Sequence, residues 1–269
     1  MANLDSVKIL APISSIDSFN SLLYTDKIES DSDNISSQKS VLRHSNTIGL
    51  KSVIIDKIKD NVCIEMSAKI LLNDYSRGLN INTISDAISN INKGNEITFN
   101  STFLDTAEIL RADVTDNIKP SQYSNKFYSS LSTIPIAKKY HIDLYKTKNN
   151  LGIVFKGNQK TVRDRMIIYD KCIDIANDKK FGKFVNTHKI LNDFKGVARV
   201  ESNHSQFKQI KKFYDSRNLI DILQSDVKLN YDIFSRITAR AESIELTLFN
   251  EFDGKKSKET LKYMVNNGV

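Results

Sequence analysis

Three segments of this sequence carry charged or reactive side chains two residues apart. Successive side chains of a β-strand point to opposite faces of its sheet, so residues at this spacing share a face. If the three strands are neighbours, one sheet face presents two carboxylates, a phenol and several cations. Segment by segment, the side chains are Arg111, Asp113 and Thr115; Arg165, Tyr169 and Lys171; and Arg199, Glu201 and Asn203.

Such a set has the groups needed to break and rejoin a phosphodiester. Two carboxylates offer the hard oxygen ligands that Mg²⁺ or Mn²⁺ prefers, and the cation would polarise the phosphate. A tyrosine could then attack phosphorus, and the phosphotyrosine link would conserve the energy of the broken bond. Because a free phenol has a pKa of about 10, we expect the metal or Lys171 to assist its ionisation.

The same alternation has an ordinary structural interpretation. A sheet that is open to water on one face also shows polar residues at every second position. Asp113 and Glu201 each lie two residues from an arginine, and surface ion pairs of that kind contribute only about 0–1 kcal/mol. The pattern alone therefore leaves a solvent-exposed face and a catalytic face both open.

Other reactive residues near these segments are weaker candidates. Tyr140 and Tyr145 are the alternatives to Tyr169 as a nucleophile, and an ordinary role in a strand is favoured for His141. Cys172 lies on the strand face opposite Tyr169, so we interpret it as a buried thiol.

The order of elements predicts an α+β protein, with an antiparallel β-sheet core, packed helices and a helical C-terminal region. Apolar residues at helical spacing predict a helix over 83–91, and Pro120 is expected to open another through Leu131. From residue 205 onward the pattern is helical. The predicted strands cover 51–58, 61–66, 96–103, 108–118, 138–147, 151–156, 165–171 and 196–203.

The chain is expected to divide into three parts. Residues 1–45 form an N-terminal segment, in which the polar, serine-rich stretch 28–40 is the best candidate for a mobile loop. Residues 46–215 form the catalytic domain, and 216–269 form the helical C-terminal region.

The composition restricts the class of protein. The net charge of +7 permits a polyanion such as nucleic acid as a partner but does not establish one. Two cysteines, Cys63 and Cys172, cannot build a disulfide scaffold or a four-thiolate zinc site. The sequence shows no membrane span and no secretory signal, so we expect a cytosolic protein.

Four short motifs resemble, in order, those of rolling-circle replication initiators of small plasmids and single-stranded DNA phages. The groups most similar are the Rep-trans plasmid initiators and the filamentous-phage replication proteins. The segment from Gly157-Asn158-Gln159-Lys160 through Arg165-Met166-Ile167-Ile168-Tyr169-Asp170-Lys171 is similar to their G-S-x-x-S…R-I-Y-[DN]-K block. The other three are Ser67-Ala68-Lys69-Ile70-Leu71, Leu110-Arg111-Ala112-Asp113-Val114-Thr115-Asp116 and Ala198-Arg199-Val200-Glu201.

The resemblance implies a role for each matching residue. Tyr169 would be the nucleophile, with Lys171 activating it or holding the scissile phosphate. Asp113 and Glu201 would be ligands of Mg²⁺ or Mn²⁺, with Asp116 as a third. The residues expected to contact DNA are Arg111, Arg165, Arg199, Lys208 and Lys211.

These roles together predict a metal-dependent endonuclease that nicks and rejoins one strand of origin DNA, either single-stranded or extruded as a hairpin, in a bacterial host cell. A 5′-phosphotyrosine would leave a free 3′-hydroxyl for a host polymerase, working with a host helicase, and the protein could act as a homodimer. The alternatives are a non-enzymatic DNA-binding initiator or transcription regulator, and a structural or partner-binding protein with a basic face. The better-known His-x-His metal pair is excluded, because the four histidines are far apart in the sequence.

Overall fold

The structure is a computed structural model that describes residues 2–31, 34–120, 125–147, 150–158, 165–204 and 207–238. It divides into two compact units. Unit 1 comprises Met1–Asp113 and His204–Val227, and unit 2 comprises Val114–Asn203 and Lys228–Val269. The boundaries predicted at residues 45 and 215 stay a prediction, because compact units need not coincide with functional domains.

Twelve strands and eight α-helices lie in the described residues. The strands are β1 Leu4–Pro12, β2 Ile16–Phe19, β3 Tyr24–Asp31, β4 Asn34–Leu42, β5 Leu50–Asp56, β6 Asn61–Ser67, β7 Ile97–Phe99, β8 Glu108–Ile118, β9 Tyr140–Thr147, β10 Asn150–Gly157, β11 Arg165–Asp170 and β12 Ala198–His204. The helices are α1 Ile84–Lys93, α2 Phe103–Thr106, α3 Asn125–Ser132, α4 Lys171–Asn177, α5 Thr187–Asp193, α6 Phe207–Tyr214, α7 Leu219–Gln224 and α8 Leu229–Ile237.

Unit 1 is built on an antiparallel sheet in the order β3-β4-β5-β6-β1. Its core face alternates along the central strands, where Val7 and Ile9 of β1 and Ile64 of β6 are fully buried. Helix α1 buries Ile84, Ala87, Ile88 and Ile91, as its apolar spacing predicts. Strands β2 and β7 form a separate two-stranded sheet.

Unit 2 contains the antiparallel strands β12-β11-β10-β9. One face of these strands is apolar, with Ile153, Phe155 and Ile168 almost fully buried. Phe155 packs edge-on against Phe234 of α8, with ring centroids 6.0 Å apart. With antiparallel sheets and packed helices in both units, the protein is of the predicted α+β class.

The prediction of a loop over 28–40 is wrong, because β3 and β4 form a hairpin through that stretch. Its serines act as hydrogen-bond donors within the sheet instead of marking a turn. Ser40 Oγ donates to Asp26 Oδ1 (2.6 Å), and Ser37 Oγ donates to Asp56 Oδ2 (3.0 Å). Such bonds allow polar side chains to be buried in a strand.

Two further boundaries differ from the prediction. The strand expected at 96–103 stops at Phe99, and Phe103 already belongs to α2, with its ring centroid 4.1 Å from that of Phe99. The strand expected at 165–171 stops at Asp170, and Lys171 is the first residue of α4. The second difference matters for the site described below.

The C-terminal region is described only through Thr238, so the helices predicted beyond that point lie outside the described residues. No described helix combines the length and the apolar character needed to span a bilayer.

Candidate active site

The register of unit 2 places Tyr169 and Glu201 on the same face of the sheet. Tyr169 of β11 lies directly opposite Arg199 of β12, and Ile167 lies directly opposite Glu201. Residues that oppose each other on antiparallel strands share a face, and diagonal neighbours are within reach of long side chains. Tyr169 and Glu201 are such a diagonal pair.

The hydroxyl of Tyr169 is held between a carboxylate and an ammonium group. It donates a hydrogen bond to Glu201 Oε2 (3.0 Å) and accepts one from Lys171 Nζ (3.1 Å). Lys171 Nζ also donates to Asp174 Oδ2 (3.0 Å). Glu201, Tyr169, Lys171 and Asp174 thus form a continuous chain of polar contacts, in which the neutral phenol lies between a carboxylate and an ammonium group. We call these four residues the tyrosine relay.

The tyrosine relay is largely shielded from water. Tyr169 is 5% exposed and Lys171 is 3% exposed, whereas the Asp174 side chain is 38% exposed. Electrostatic interactions are stronger in such a shielded environment than in water. The Tyr169 ring therefore packs in a buried apolar cluster with Val154 and Ile167, while its hydroxyl contacts the polar groups of Glu201 and Lys171.

The end of β11 explains the position of Lys171. Asp170 caps α4, since its Oδ1 accepts from the Ile173 amide (3.0 Å). The chain thereby turns from strand to helix between Asp170 and Lys171, and Asp174 is one helical turn further on. Because of this turn, Lys171 contacts both the Tyr169 phenol, two residues before it, and the Asp174 carboxylate, three residues after it.

Gly152 of β10 makes room for the Tyr169 side chain. It lies directly opposite Tyr169 on one side and Tyr145 on the other. The two tyrosine rings face each other at a centroid distance of 5.4 Å, tilted by 46°. A Cβ atom at position 152 would lie 2.7 Å from Tyr169 Cβ and 2.6 Å from the Ile168 carbonyl oxygen. Only glycine fits between the two rings.

We expect Gly152→Ala to destabilise the protein by about 1–3 kcal/mol, the usual cost of overpacking a close contact, and to displace Tyr169. Urea unfolding measures the loss of stability. Gly182→Ala is the matched control in unit 2, because its new Cβ would meet only the Thr187 hydroxyl, at 3.2 Å. Equal losses in the two variants would contradict a specific role for Gly152.

The other tyrosine candidates differ from Tyr169. Burial raises the pKa of Tyr145, and the nearby carboxylates of Asp174 and Glu201 raise it further. Tyr145 is therefore harder to ionise than a free phenol. Tyr140 is 3% exposed and lies on the opposite face of β9 from Tyr145.

Arg199 is part of the protein interior. It is 1% exposed, its Nε donates to Asn117 Oδ1 (3.2 Å), and its guanidinium carbon lies 5.0 Å from the ring centroid of Phe194. A guanidinium in this position supports the sheet through a hydrogen bond and a cation–π contact. It offers no surface to a DNA phosphate, which was its expected partner.

Asp113 and Arg111 belong to unit 1. Asp113 is 7% exposed, and its carboxylate lies 3.8 Å from the Arg111 guanidinium. Burial raises the pKa of Asp113, while Arg111 and a hydrogen bond from Ser6 oppose that effect. Arg111 also lies 3.9 Å from Glu65, so these side chains form an ionic group within unit 1.

Asp116 lies on the face of β8 opposite Asp113, because the two residues are three positions apart along the strand. Its Oδ2 accepts a hydrogen bond from Asn230 Nδ2 (2.7 Å), and burial raises its pKa. Within the described ranges, no three His, Cys, Asp or Glu side chains lie close enough to hold a metal ion. The described residues therefore do not by themselves complete a three-ligand metal site, and Mg²⁺ or Mn²⁺ binding stays a proposal.

The remaining predicted DNA contacts lie in both units. Arg165 is exposed on the Tyr169 face of unit 2, and Lys211 is exposed on α6 of unit 1. Lys208 also lies in α6, but its side chain is outside the described residues. Cys172 Sγ lies 3.7 Å from the Leu191 carbonyl oxygen, away from the tyrosine relay.

Sequence reasoning missed Asp174 and Gly152. Asp174 could have been found as the residue three positions after Lys171, had the start of α4 been placed correctly. Local pattern does not reveal the role of Gly152, since that role depends on which strand lies beside β11.

Comparisons with known proteins show a distant structural likeness. No protein-family model matches the chain, and no curated protein sequence matches it. A solved structure described as "Structure of Rolling Circle Replication Initiator Protein from Geobacillus stearothermophilus" is similar, with 11% sequence identity and a TM-score of 0.41. The alignment covers 99% of this chain and 96% of that chain. Because this likeness is so distant, the proposal below rests on the residues of this chain.

Proposed function

We propose that this protein is a replication initiator that nicks and rejoins one strand of origin DNA through a 5′-phosphotyrosine at Tyr169, starting rolling-circle replication of a plasmid or phage. The observation that carries this proposal is the Tyr169 hydroxyl, held between Glu201 and Lys171. Any buried tyrosine needs a hydrogen-bond partner, but here the two partners are a potential base and a cation, which are the groups that ionising a phenol requires.

The tyrosine relay supplies the proton transfers of the reaction. Glu201 takes the proton of the Tyr169 hydroxyl, and the Lys171 ammonium stabilises the phenolate that forms. The phenolate attacks phosphorus and the bond from phosphorus to the 3′ oxygen breaks. That oxygen then takes up a proton from solvent. In rejoining, a 3′-hydroxyl loses its proton to solvent and attacks the phosphotyrosine, the bond from phosphorus to the Tyr169 oxygen breaks, and the phenolate takes its proton back from Glu201.

A divalent cation is a separate part of the proposal. Mg²⁺ or Mn²⁺ would offset charge on the phosphate, and Glu201, the carboxylate that contacts the Tyr169 hydroxyl, is proposed to bind it. Asp113 and Asp116 were the other expected ligands, but they lie on opposite faces of β8 and cannot both bind one ion with Glu201. We expect EDTA to stop cleavage and excess Mn²⁺ to restore it. Cleavage that persists in EDTA would remove the metal from the proposal and leave the tyrosine relay in place.

The proposed partner is origin DNA, single-stranded or in a hairpin, contacted by Arg165, Arg111, Lys208 and Lys211. A host helicase and polymerase would continue synthesis from the new 3′-hydroxyl in the bacterial cytoplasm. A homodimer would allow two cleavage sites to act in one replication cycle.

The test is a denaturing gel that detects protein covalently bound to DNA. The substrate is a pool of single-stranded oligonucleotides with randomised interiors, labelled at the 3′ end, because the fragment that stays attached carries the 5′ phosphate. The proposal predicts a labelled band at the position of the protein in Mn²⁺. A DNA-binding regulator would instead give a salt-dependent gel shift without that band, and a structural protein would give neither.

We expect Lys171→Met to slow adduct formation by about 10²-fold, as the loss of one preorganised donor does at other oxyanions. The profile of rate against pH should also move to higher pH, because a nearby cation favours the phenolate and the variant lacks it. Asp174→Asn should cause a smaller shift in the opposite direction, because it removes a carboxylate whose charge disfavours the phenolate.

The matched control for that prediction is Lys179→Met, since Lys179 is an exposed lysine that follows α4. Methionine has a similar length to lysine, but Lys171→Met leaves Asp174 without its ion-pair partner, so urea unfolding must show that the variant is folded. An unchanged rate and pH profile in Lys171→Met would exclude Lys171 from the reaction.

A further inference from the structure

Three basic residues form one row on the Tyr169 face of unit 2. His141 of β9 lies directly opposite Lys156 of β10, and Lys156 lies directly opposite Arg165 of β11. The side chains of His141 and Lys156 are 43% and 40% exposed, and Arg165 is exposed. We call these three residues the basic row.

The basic row carries an electrostatic cost. Like charges directly opposite each other on neighbouring strands destabilise a sheet. Asp143 offsets part of the repulsion, since its Oδ2 lies 2.7 Å from Lys156 Nζ and 3.5 Å from His141 Nε2. No carboxylate of the described residues lies within ion-pair distance of Arg165. An anion bound between Lys156 and Arg165 would relieve the repulsion that remains.

Part of the row is held in place. His141 Nδ1 lies 2.7 Å from Asn158 Oδ1, and the side-chain Nδ2 of Asn158 donates to the carbonyl oxygen of Lys138 (2.7 Å). Lys156 Nζ instead donates to Asp143 Oδ2, so this carboxylate competes with a bound anion for the lysine. Because Asn158 holds His141, less side-chain entropy is lost when an anion binds there than at a freely moving side chain.

The distance between Arg165 and Tyr169 along β11 shows which phosphate of a DNA strand the basic row could bind. Arg165 is four residues from Tyr169 on β11, about 13 Å at the rise of a β-strand. Between them on the same face lie Val154 and Ile167, which are 3% and 7% exposed and apolar. A phosphate at the basic row therefore cannot be the phosphate that Tyr169 attacks.

We propose that His141, Lys156 and Arg165 form a subsite for a second backbone phosphate of the same DNA strand, beyond the scissile phosphate. The inference rests on the function proposed above and adds to it a second contact with the strand. The basic row binds one phosphate and the tyrosine relay cleaves another, about 13 Å away at the rise of a β-strand.

The test measures binding without covalent chemistry. All variants are made in Tyr169→Phe protein, and fluorescence anisotropy follows an oligothymidylate of about 12 nucleotides, a length within the range that single-strand sites span. We expect Lys156→Ala and Arg165→Ala each to weaken binding about fivefold to tenfold at moderate salt. Each should also lower the slope of log affinity against log salt by about 0.7, the value for one phosphate contact of single-stranded DNA.

Two further variants make the result specific. Lys183→Ala removes an exposed lysine outside the basic row and should leave affinity within twofold. Asp143→Asn should tighten binding about twofold to fivefold, because it releases Lys156 for the phosphate. Urea unfolding confirms that each variant is folded.

An affinity within twofold of the parent for both Lys156→Ala and Arg165→Ala would overturn the inference, as would an equal loss in Lys183→Ala. The outcome is separable from the proposed function. If no covalent adduct forms with the unaltered protein but the basic row binds as expected, the proposed cleavage is wrong and the subsite is a phosphate site of a DNA-binding protein.

Discussion

Tyr169→Phe is expected to reduce the covalent DNA adduct to background, a loss of at least about 10³-fold, because the variant lacks the oxygen that attacks phosphorus. The fold should persist, since phenylalanine keeps the ring that packs against Tyr145. The lost hydrogen bonds to Glu201 and Lys171 cost a few kcal/mol at most. The measurement is adduct yield on a denaturing gel, with urea unfolding of the same preparation.

Tyr145→Phe is the matched control for that variant. Tyr145 is the tyrosine whose ring faces Tyr169, and its loss of a hydroxyl is chemically identical. We expect it to retain adduct formation within about tenfold. If the adduct persists in Tyr169→Phe but is lost in Tyr145→Phe, the nucleophile is Tyr145 of β9 and the assignment of Tyr169 is wrong.

Glu201→Gln is expected to slow adduct formation by about 10²–10⁴-fold, the usual contribution of a general base. Glutamine can still accept the hydrogen bond from the Tyr169 hydroxyl, so the geometry of the site should be kept. What the variant loses is the ability to take the proton. Single-turnover kinetics of adduct formation measure this loss.

The same variant separates the two roles that Glu201 could have. If Glu201 acts only as a ligand of a divalent cation, raising the Mn²⁺ concentration should restore much of the rate in Glu201→Gln. If Glu201 is the base, excess Mn²⁺ should leave the rate low. Asp174→Asn is the control, because it changes a carboxylate of the same hydrogen-bonded chain that does not touch the Tyr169 hydroxyl.

Alternation along the strands was sufficient to predict which side chains share a face. Tyr169 and Glu201 share a face provided that β11 and β12 are neighbouring strands, and these two strands are paired. The β5–β6 hairpin and helix α1 were also predicted, because their apolar periodicity is strong. These features depend on local pattern, which the sequence contains directly.

The rest of the site depends on contacts that local pattern does not contain. The cap at Asp170 ends the strand one residue early and thereby brings Lys171 to the phenol. Gly152 makes room for the Tyr169 side chain only because β10 lies beside β11. The 28–40 stretch has the composition of a loop, and only the hydrogen bonds of Ser37 and Ser40 show how it forms strands.

The carboxylates show a second limit of sequence reasoning. Asp113 and Asp116 stand in one motif, yet alternation sends them to opposite faces of β8 and their partners are Arg111 and Asn230. A motif gives the order of residue types, but it does not give their positions in space, which decide whether they can bind one metal ion.

The most direct measurement of the central claim is mass spectrometry of the protein–DNA adduct after digestion with nuclease and trypsin. Trypsin cleaves after Arg165 and Lys171, giving the peptide 166–171, in which Tyr169 is the sole tyrosine. The account predicts a nucleotide attached through phosphate to Tyr169 in this peptide. A nucleotide on peptide 140–146, which carries Tyr140 and Tyr145, or on any other peptide, would contradict it.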